Sequence, residues 1–550
     1  MALRKGAGAL LVGLGGFTTY RYQTLVQDCE RQLPTTALHI FDTPKKDTKT
    51  PDNKQQRVVI IGAGVVGVCT AFKLAQLGHR VVVLEPHASR PGEECSHCAA
   101  GGMGRQNVVV DKNTWLGVLR SIAPPSLAKL FLGGCNKDDF KFFHIDWLSS
   151  LSDPFFLRWA FTFTKTSLMP SETQDKKQNE MLQFTNFAVQ DMVKMLEDTR
   201  RGSPNKHMAT ASGYNARGLL QVSYDTPPVG ALPSPHGALT YEPNRTLLNT
   251  DEVLNEEPSL KFQKVPPTWA KFEYEAKAAS SGRFCKALAE RCVKDPNLDV
   301  TFLYDTKVQG ISTTLSSSTN QTRIDALKTN RGVISVEEDV HVVVAAGAWT
   351  PHVLALMDVF APVYPLKGYA LSVSAKEAMQ LSRDNTCKKL SNADLPSRIV
   401  CDKYMYTTRL GDDEIRMTSI GEFSEWNTTP TTHVDAAFRE EAKRQYPQLS
   451  PLIDTAKTYC GHRPFVSDGI LLLGKCDSDT CQNLYVTCGP GSNGWKLAMG
   501  SGDVIARLVS GQTSEQIQDE LGFDVEAFSP AGRVVKAPLF AKLCRARWNV

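Results

Sequence analysis

The chain has 550 residues, of which 42% are hydrophobic and 22% are charged, and its formal net charge at pH 7 is +4. A chain of this length exceeds the usual size of one domain, so we expect two closely packed domains. A nucleic-acid-binding protein needs a concentrated basic face, and so small a net charge on so long a chain argues against a nucleic-acid partner.

The N-terminal segment differs from the rest of the chain. Residues 6–20 form an apolar stretch that follows two basic residues, and the first acidic residue is Asp28. The stretch is shorter than the roughly twenty residues needed to span a bilayer. A mitochondrial targeting segment, a secretory signal and a short membrane anchor all remain open. We assign residues 1–55 to this segment and a polar linker, and favour mitochondria (inner membrane or matrix) over the cytoplasm.

The run from Arg57 to Glu85 predicts a hydrophobic strand, a glycine turn, an apolar helix and a second strand that ends on a carboxylate. Gly62 allows the tight turn, Gly64 lets the backbone approach a pyrophosphate, and Gly67 lets the helix pack close to the strand. The helix directs its N-terminal N–H groups at that pyrophosphate. Glu85 stands where the acid of this motif binds a ribose hydroxyl. The residues predicted to bind a dinucleotide here are Gly62, Ala63, Gly64, Val65, Val66, Gly67 and Glu85.

The next segment, residues 91–105, is rich in small residues that let a ligand lie close to the backbone. It contains Cys95 and Cys98 in a C-x2-C arrangement. A structural zinc site needs a second pair, and the later cysteines are unevenly spaced for one. We therefore expect free thiols and no metal. The 14 scattered cysteines also favour a reducing compartment.

Two further strand–turn–helix units follow later in the chain. Residues 340–353 predict a buried parallel strand that turns into a helix at Ala346 and Gly347. Residues 484–511 predict another such unit, whose glycine-rich turn offers N–H groups to an anion. Glycine turns this far apart imply one large cofactor, and they suit an extended FAD better than a nicotinamide. The residues expected to contact the cofactor in the last turn are Gly491, Asn493, Gly494 and Trp495.

Several motifs occur in order over nearly all of residues 56–515. They are GAGVVG, AAGGM, LSDPFFLRW, VVVAAGAWTP, YPLKGYALSV, TTRLGDDEIRMTSIGEF, GHRPFVSDGILLLG and CGPGSNGWKLAMGSG. In this order they resemble the FAD-dependent oxidoreductases of the D-amino acid oxidase family, and most of all the D-amino acid dehydrogenases. The resemblance implies an α/β fold. In that fold, a doubly wound, Rossmann-like FAD-binding domain is interleaved with an α+β substrate domain built on a mixed sheet.

The resemblance also implies domain limits. The FAD-binding domain would comprise residues 56–115, 279–360 and 457–520, and the substrate domain residues 116–278 and 361–456. Residues 521–550 would form a basic C-terminal tail. The flavin would be noncovalent and its ring would lie between the two domains.

The resemblance also implies roles for particular residues. Gly101, Gly102 and Met103 would approach the cofactor through a Gly-Gly loop, and the backbone of Val308 would meet the adenine. Arg463 matches the arginine with which similar enzymes hold a substrate carboxylate. A guanidinium suits this task because its planar fork makes two parallel charge-assisted hydrogen bonds. A structural ion-pair role for Arg463 stays open.

Two tyrosines are further candidates. Tyr369 is expected near the flavin by analogy, although a core tyrosine would fit the same position. Tyr404 shares a strand face with Tyr406, so the two could line the substrate pocket or form a half-buried aromatic pair. No general base is nominated, because in this family the α-hydrogen leaves as a hydride.

The resemblance implies oxidation of an amino acid, first of all a D-amino acid, to a 2-oxo acid and ammonia. The electrons would pass to a quinone or another carrier. Two enzymatic alternatives are a sarcosine- or glycine-type amine oxidase and a 2-hydroxy-acid dehydrogenase of the same fold. A third alternative is a non-catalytic, FAD-binding mitochondrial assembly factor. A scaffold has no reason to keep a carboxylate-binding arginine, so we predict an enzyme.

Overall fold

The structure is a computed structural model. It describes residues 33–41, 55–104, 143–168, 171–198, 200, 202–226, 245–316, 319–381 and 389–548. The apolar stretch at residues 6–20 lies outside the described residues, so its targeting or anchoring role stays a prediction. No helix in the described ranges is long and apolar enough to cross a membrane.

The strands are β1 (Arg57–Ile61), β2 (Arg80–Leu84), β3 (Gly102–Met103), β4 (Phe143–Ile145), β5 (Leu219–Ser223), β6 (Arg245–Asn249), β7 (Trp269–Glu273), β8 (Lys277–Ala278), β9 (Val300–Leu303), β10 (Val308–Leu315), β11 (Thr322–Thr329), β12 (Gly332–Ser335), β13 (Val340–Val344), β14 (Val359–Phe360), β15 (Val363–Ser374), β16 (Ile399–Cys401), β17 (Met405–Leu410), β18 (Glu414–Phe423), β19 (Thr458–Val466), β20 (Leu472–Lys475), β21 (Leu484–Cys488) and β22 (Val535–Lys536).

The helices are α1 (Val65–Gln76), α2 (Cys95–Cys98), α3 (Trp147–Ser152), α4 (Pro154–Ser167), α5 (Ser171–Leu196), α6 (Met208–Ser212), α7 (Thr250–Glu256), α8 (Ser281–Lys294), α9 (Thr350–Ala355), α10 (Ala375–Ala378), α11 (Thr432–Gln445), α12 (Ser450–Thr455), α13 (Gly494–Val509), α14 (Ser514–Leu521) and α15 (Pro538–Trp548).

The first sheet has six strands in the order β20-β21-β13-β1-β2-β9, and only the β20–β21 pair is antiparallel among its neighbours. Its central strands are runs of valine and isoleucine, which suit strands that are buried on both faces. Alternate residues of β1 therefore enter two cores. Val58 and Ile60 pack with helices α1, α8 and α13, whereas Val59 and Ile61 pack with the β10–β12 sheet.

The second sheet is mixed and has the order β19-β15-β18-β17-β16-β5-β7-β6, with β4 paired to β18. Helices α11 and α12 cover one face through Val434, Phe438 and Ile453. The other face turns toward the carboxyl ends of the first sheet. The strands of the two sheets alternate along the chain, so the predicted fold class is confirmed.

The position of β19 differs from the predicted domain limits, which place residues 457–520 in the FAD-binding domain. This strand pairs along its whole length with β15 and so belongs to the second sheet. The FAD-binding part resumes at β20. A strand pattern in the sequence does not reveal which sheet the strand will join, because pairing is decided by contacts far along the chain.

Two terminal segments also pack more closely than the sequence implied. Residues 33–41, assigned to the targeting segment and linker, contact the body, and the Leu38 N–H donates to the Val333 carbonyl over 2.8 Å. Within the predicted C-terminal tail, Phe528 enters the core of the first sheet and Cys544 is buried among aromatic residues. The many basic residues in this segment led to the prediction of a tail, although apolar residues between them pack into the cores.

Candidate active site

One continuous cavity of about 940 Å³ lies between the carboxyl ends of the first sheet and the open face of the second. The volume is at the upper end of the range for ligand sites. The predicted cofactor residues that line it are Gly62, Gly64, Val65, Val66, Glu85, Gly101, Gly102, Val308, Ala346, Gly347, Gly491, Asn493, Gly494 and Trp495.

At the turn between β1 and α1, two of the three glycines leave no room for a side chain. Gly62 has a φ of +107°, and a Cβ there would lie 2.7 Å from the Ala345 carbonyl oxygen. A Cβ on Gly67 would lie 2.0 Å from the Gly62 carbonyl oxygen. Gly67 therefore does not line the cavity but allows α1 to sit against the turn. Gly64 is different, because a Cβ there would only reach Ser96 at 3.7 Å.

The N-terminus of α1 is suited to an anion. Its first turn carries no acidic residue, and Gly64 supplies no side-chain cap. The Ser96 hydroxyl accepts from the Val65 N–H over 3.0 Å, which holds residues 95–98 against the start of this helix. The helix dipole and the remaining N–H groups favour a phosphate at this position.

Glu85 lies at the end of β2 with 5% of its surface exposed. Burial raises the pKa of this carboxyl, while two backbone hydrogen bonds oppose the increase. The donors are the Ala63 N–H at 2.8 Å and the His87 N–H at 3.1 Å. Ala63, which does not line the cavity, thus acts through its N–H in orienting Glu85. The oriented carboxylate fits a ribose hydroxyl.

The Gly-Gly loop is held in place from two sides. The Trp495 indole N–H donates to the Gly101 carbonyl over 3.0 Å. A Cβ on Gly102 would lie 1.9 Å from the Tyr406 hydroxyl, so only glycine fits beneath the second sheet. Met103 is buried in β3 and does not line the cavity.

Arg463 stands on β19 opposite Leu366 of β15, and it lines the cavity. Its guanidinium lies over Gly368, where a Cβ would be 2.5 Å from Cζ. Nη1 donates to the Ile420 carbonyl over 2.8 Å. Burial lowers the pKa of this guanidinium, and among the described residues only the thiols of Cys95 and Cys460 act against that decrease. Arg463 is half-buried and faces the cavity with no carboxylate partner among the described residues, which favours an anionic ligand.

A β-bulge aims the Ile420 carbonyl at Arg463. Gly368 pairs with Gly421 and Tyr369 with Ser419, so Ile420 is the extra residue of β18. Its φ is +57°, which is a strained value for a β-branched residue. Such strain costs on the order of 1–3 kcal/mol and is found where the surroundings over-determine a functional geometry.

A buried network supports the bulge on its other side. Lys367 and Glu422 form an ion pair of 2.8 Å in which both side chains are buried. The hydroxyls of Tyr369 and Thr431 donate to Glu422 over 2.5 and 2.8 Å. Burial alone would raise the pKa of Glu422, but these hydrogen bonds and Lys367 lower it.

Tyr369 is therefore committed to this network. Its hydroxyl donates to Glu422 and accepts from the Thr431 N–H over 3.0 Å. Burial, and then Glu422, raise the pKa of the hydroxyl. Tyr369 lines the cavity, but its hydroxyl has structural partners, which argues against the catalytic role considered for it. Tyr404 and Tyr406 both line the cavity.

Lys496 is a cavity residue that the sequence reasoning missed. It follows Trp495, is buried, and its Nζ donates to the Gly104 carbonyl over 3.3 Å. Burial lowers the pKa of its ammonium group to about 8. The sequence does contain a signal for this residue, because a lysine within the otherwise apolar run WKLAMG indicates a buried charge. The Ile420 bulge had no sequence signal, because isoleucine does not favour positive φ.

A largely parallel sheet with glycine turns after three strands, facing a mixed sheet across a long cavity, is the architecture of a two-domain flavoprotein. The family model "FAD dependent oxidoreductase" (DAO) matches residues 57–508. The chain therefore belongs to this family, as the resemblance implied. It is an FAD-dependent oxidoreductase, and its cofactor is FAD. The glycine turns, the α1 N-terminus and Glu85 fit the phosphates and ribose of this group.

Curated relatives and solved structures agree with this family. A D-amino acid dehydrogenase of Granulibacter bethesdensis is 24% identical over 464 residues, which cover 83% of this chain and 96% of that protein. A D-amino acid dehydrogenase of Vibrio atlanticus is 25% identical and covers 84% and 98%. A glycine oxidase structure from Geobacillus kaustophilus has a TM-score of 0.53 at 19% identity and covers 86% and 98%. An L-amino acid deaminase structure from Proteus myxofaciens has a TM-score of 0.53 at 14% identity and covers 90% and 97%.

The cysteines of residues 91–105 are free thiols in the structure. Burial raises the pKa of Cys95 to about 11 and that of Cys98 to about 12. Among the described residues, no group of three His, Cys, Asp or Glu side chains is placed to hold a metal ion.

Substitutions of Gly64 and Gly67, two glycines of the first turn, should have different effects. We expect Gly64→Ala to fold but to bind FAD at least tenfold more weakly, because its methyl group enters only the space of the pyrophosphate. We expect Gly67→Ala to lower the free energy of unfolding by about 1–3 kcal/mol, because the methyl group meets the Gly62 carbonyl. Thermal unfolding and the ratio of flavin to protein absorbance separate the two. Identical behaviour of both variants would contradict the assignment.

Tyr369→Phe tests whether the tyrosine hydroxyl is structural. We expect the free energy of unfolding to fall by about 1–2 kcal/mol, because Glu422 loses a buried hydrogen bond. We expect kcat to change less than about threefold, because the hydroxyl is already hydrogen-bonded to Glu422 and Thr431 and so is not available to the substrate. Steady-state kinetics and urea unfolding measure the two effects. A hundredfold loss of kcat with unchanged stability would restore the catalytic role.

Proposed function

We propose that this protein oxidises an amino acid at its α-carbon, with D-amino acids as the first class of substrate. The product is an imino acid, which water hydrolyses to a 2-oxo acid and ammonia. A quinone or another carrier then takes up the electrons. The observation that carries the proposal is Arg463, a half-buried cation at the cavity wall without a carboxylate partner among the described residues.

The residues of the cavity suit this reaction. Arg463 would bind the substrate carboxylate through the guanidinium edge that the Ile420 carbonyl leaves available. Fixing the carboxylate orients the α-carbon, and orientation alone contributes several kcal/mol to catalysis. When bound, the flavin supplies the electron sink that accepts the α-hydrogen as a hydride. The largely apolar lining between the two sheets would favour the neutral amine that this transfer needs.

The relatives support the same substrate class. Both of the curated proteins described above are D-amino acid dehydrogenases, and each is matched over nearly its whole length. A carboxylate site also fits glycine, N-methylglycine, L-amino acids and 2-hydroxy acids, which become outcomes of the experiment below. Membership of an oxidoreductase family does not favour a purely scaffolding role.

We also propose a mitochondrial location, with the basic and apolar N-terminal residues as the targeting segment. Support comes from the two basic residues before the apolar stretch and from the scattered cysteines. Fractionation of cells that express the full chain, beside a chain that starts at Leu33 and keeps the packed residues 33–41, tests this. Equal distribution of both chains would contradict it.

Anaerobic reduction of the flavin identifies the substrate. The FAD-loaded protein is mixed with D-amino acids, L-amino acids, glycine, N-methylglycine and 2-hydroxy acids. We expect D-amino acids to bleach the flavin absorbance fastest. Faster bleaching by another class would reassign the substrate, and no bleaching by any of them would reject the proposed function. Reoxidation of the reduced protein by a soluble quinone, compared with oxygen, then tests the acceptor.

Arg463→Ala tests the carboxylate site. We expect kcat/KM to fall roughly a hundredfold or more, mainly through KM, because two charge-assisted hydrogen bonds are lost. Arg463→Lys keeps the charge without the planar fork and should lose less. FAD content and thermal unfolding serve as controls for folding. Turnover that is unchanged in the alanine variant would show that the carboxylate binds elsewhere.

A further inference from the structure

Exposed apolar residues concentrate on helices α4 and α15. Phe161 of α4 and Leu539 of α15 are the two most exposed large hydrophobic residues in the described ranges, at 73% and 69%. The same two helices also expose Leu157 and Leu543, and Leu168 directly follows α4. Single exposed hydrophobic residues are normal, but four on two adjacent helices and a fifth directly after one of them form a patch.

The exposed residues of each helix form a stripe opposite its buried side. In α4, Leu157 and Phe161 are four residues apart, and in α15 so are Leu539 and Leu543. The opposite sides of both helices enter one aromatic core, through Phe155, Phe156, Trp159 and Phe163 of α4 and through Ala541 and Cys544 of α15. The two stripes therefore face solvent from the same layer of the fold.

The two helices also contact each other. The rings of Phe155 and Phe540 meet edge to face with centroids 5.7 Å apart. The Arg158 guanidinium lies 4.5 Å above the Phe540 ring. We call the exposed stripes of α4 and α15, Leu168 and the lysines around them the docking face.

Basic residues outnumber acidic ones in the two segments that form the docking face. Residues 155–171 contain two basic residues and no acidic one, and residues 527–550 contain five basic residues and no acidic one. Arg545 pairs with Asp358 over 2.8 Å, but Lys165, Lys536 and Lys542 are exposed. The whole chain has a net charge of only +4, so this is a local concentration of positive charge.

From this combination we propose that the docking face binds the surface of an anionic lipid membrane. Phenylalanine and leucine on the outer side of a helix, flanked by lysines, are typical of helices that lie in the membrane interface. Anionic headgroups would complement the lysines. A protein partner fits less well, because lysine is depleted at protein–protein interfaces. The proposal does not depend on the identity of the substrate.

Vesicle sedimentation with the full-length, FAD-loaded protein tests the proposal. The vesicles contain phosphatidylcholine either alone or mixed with phosphatidylglycerol. We expect binding to the mixed vesicles that weakens as salt is added. The variant Phe161→Glu with Leu539→Glu should bind at least tenfold more weakly, and Lys165→Gln with Lys542→Gln should lose about fivefold for each lysine.

Val265→Glu with Leu315→Glu is the matched control. Those residues are 62% and 63% exposed and lie outside the docking face, so this variant should bind within about twofold of the parent protein. FAD content and thermal unfolding verify that each variant is folded.

Three outcomes would overturn the proposal. The parent protein could fail to bind mixed vesicles. Both glutamate variants could bind as well as the parent, which would place the contact elsewhere, for example at residues 6–20. Sedimentation velocity without vesicles could show a dimer that only the docking-face variant dissociates, in which case the face joins two copies of the chain.

Discussion

The half-buried guanidinium of Arg463 at the cavity wall is the constraint around which the second sheet is arranged. Removing a cation from water costs free energy unless its donors are satisfied. Here Nη1 of Arg463 donates to the Ile420 carbonyl. This hydrogen bond requires a glycine at position 368, beneath the guanidinium, and a positive φ at Ile420. A sheet that served only as a scaffold would not need this strain. The strain is explained if the remaining donors of Arg463 bind a ligand that enters the cavity.

The same region joins the two halves of the fold. Residues 95–98 touch α1 through the hydrogen bond of Ser96 to Val65. They also touch β19, since a Cβ on Gly461 would lie 3.1 Å from the Cys95 Cα and from the Cys98 Cβ. The Arg416 guanidinium donates to the Ala99 carbonyl over 2.8 Å. The anion site at α1 and the cation at Arg463 are thus connected through one short segment, which sets their relative position.

The hydrogen bonds of Tyr369 show why this cavity-lining tyrosine is structural. Tyr369 follows Gly368, over which the Arg463 guanidinium lies, yet the Tyr369 hydroxyl is hydrogen-bonded to Glu422 and Thr431. Glu422 in turn neutralises Lys367, so the only cation of this group that is left for a ligand is Arg463. The binding of a carboxylate would therefore rest mainly on one residue, whose surroundings are held in place by the Lys367, Glu422, Tyr369 and Thr431 network.

The sequence alone determined the cofactor domain and the family, because glycine spacing, hydrophobic strands and Glu85 are local features with a fixed meaning. Local patterns also singled out Arg463. They did not place β19 in the second sheet, the C-terminal residues in the cores, or the hydroxyl of Tyr369 on Glu422. They did not predict the bulge at Ile420 either, since isoleucine avoids positive φ. Tertiary structure decided these points, because each depends on partners distant in sequence whose contacts outweigh the local preference.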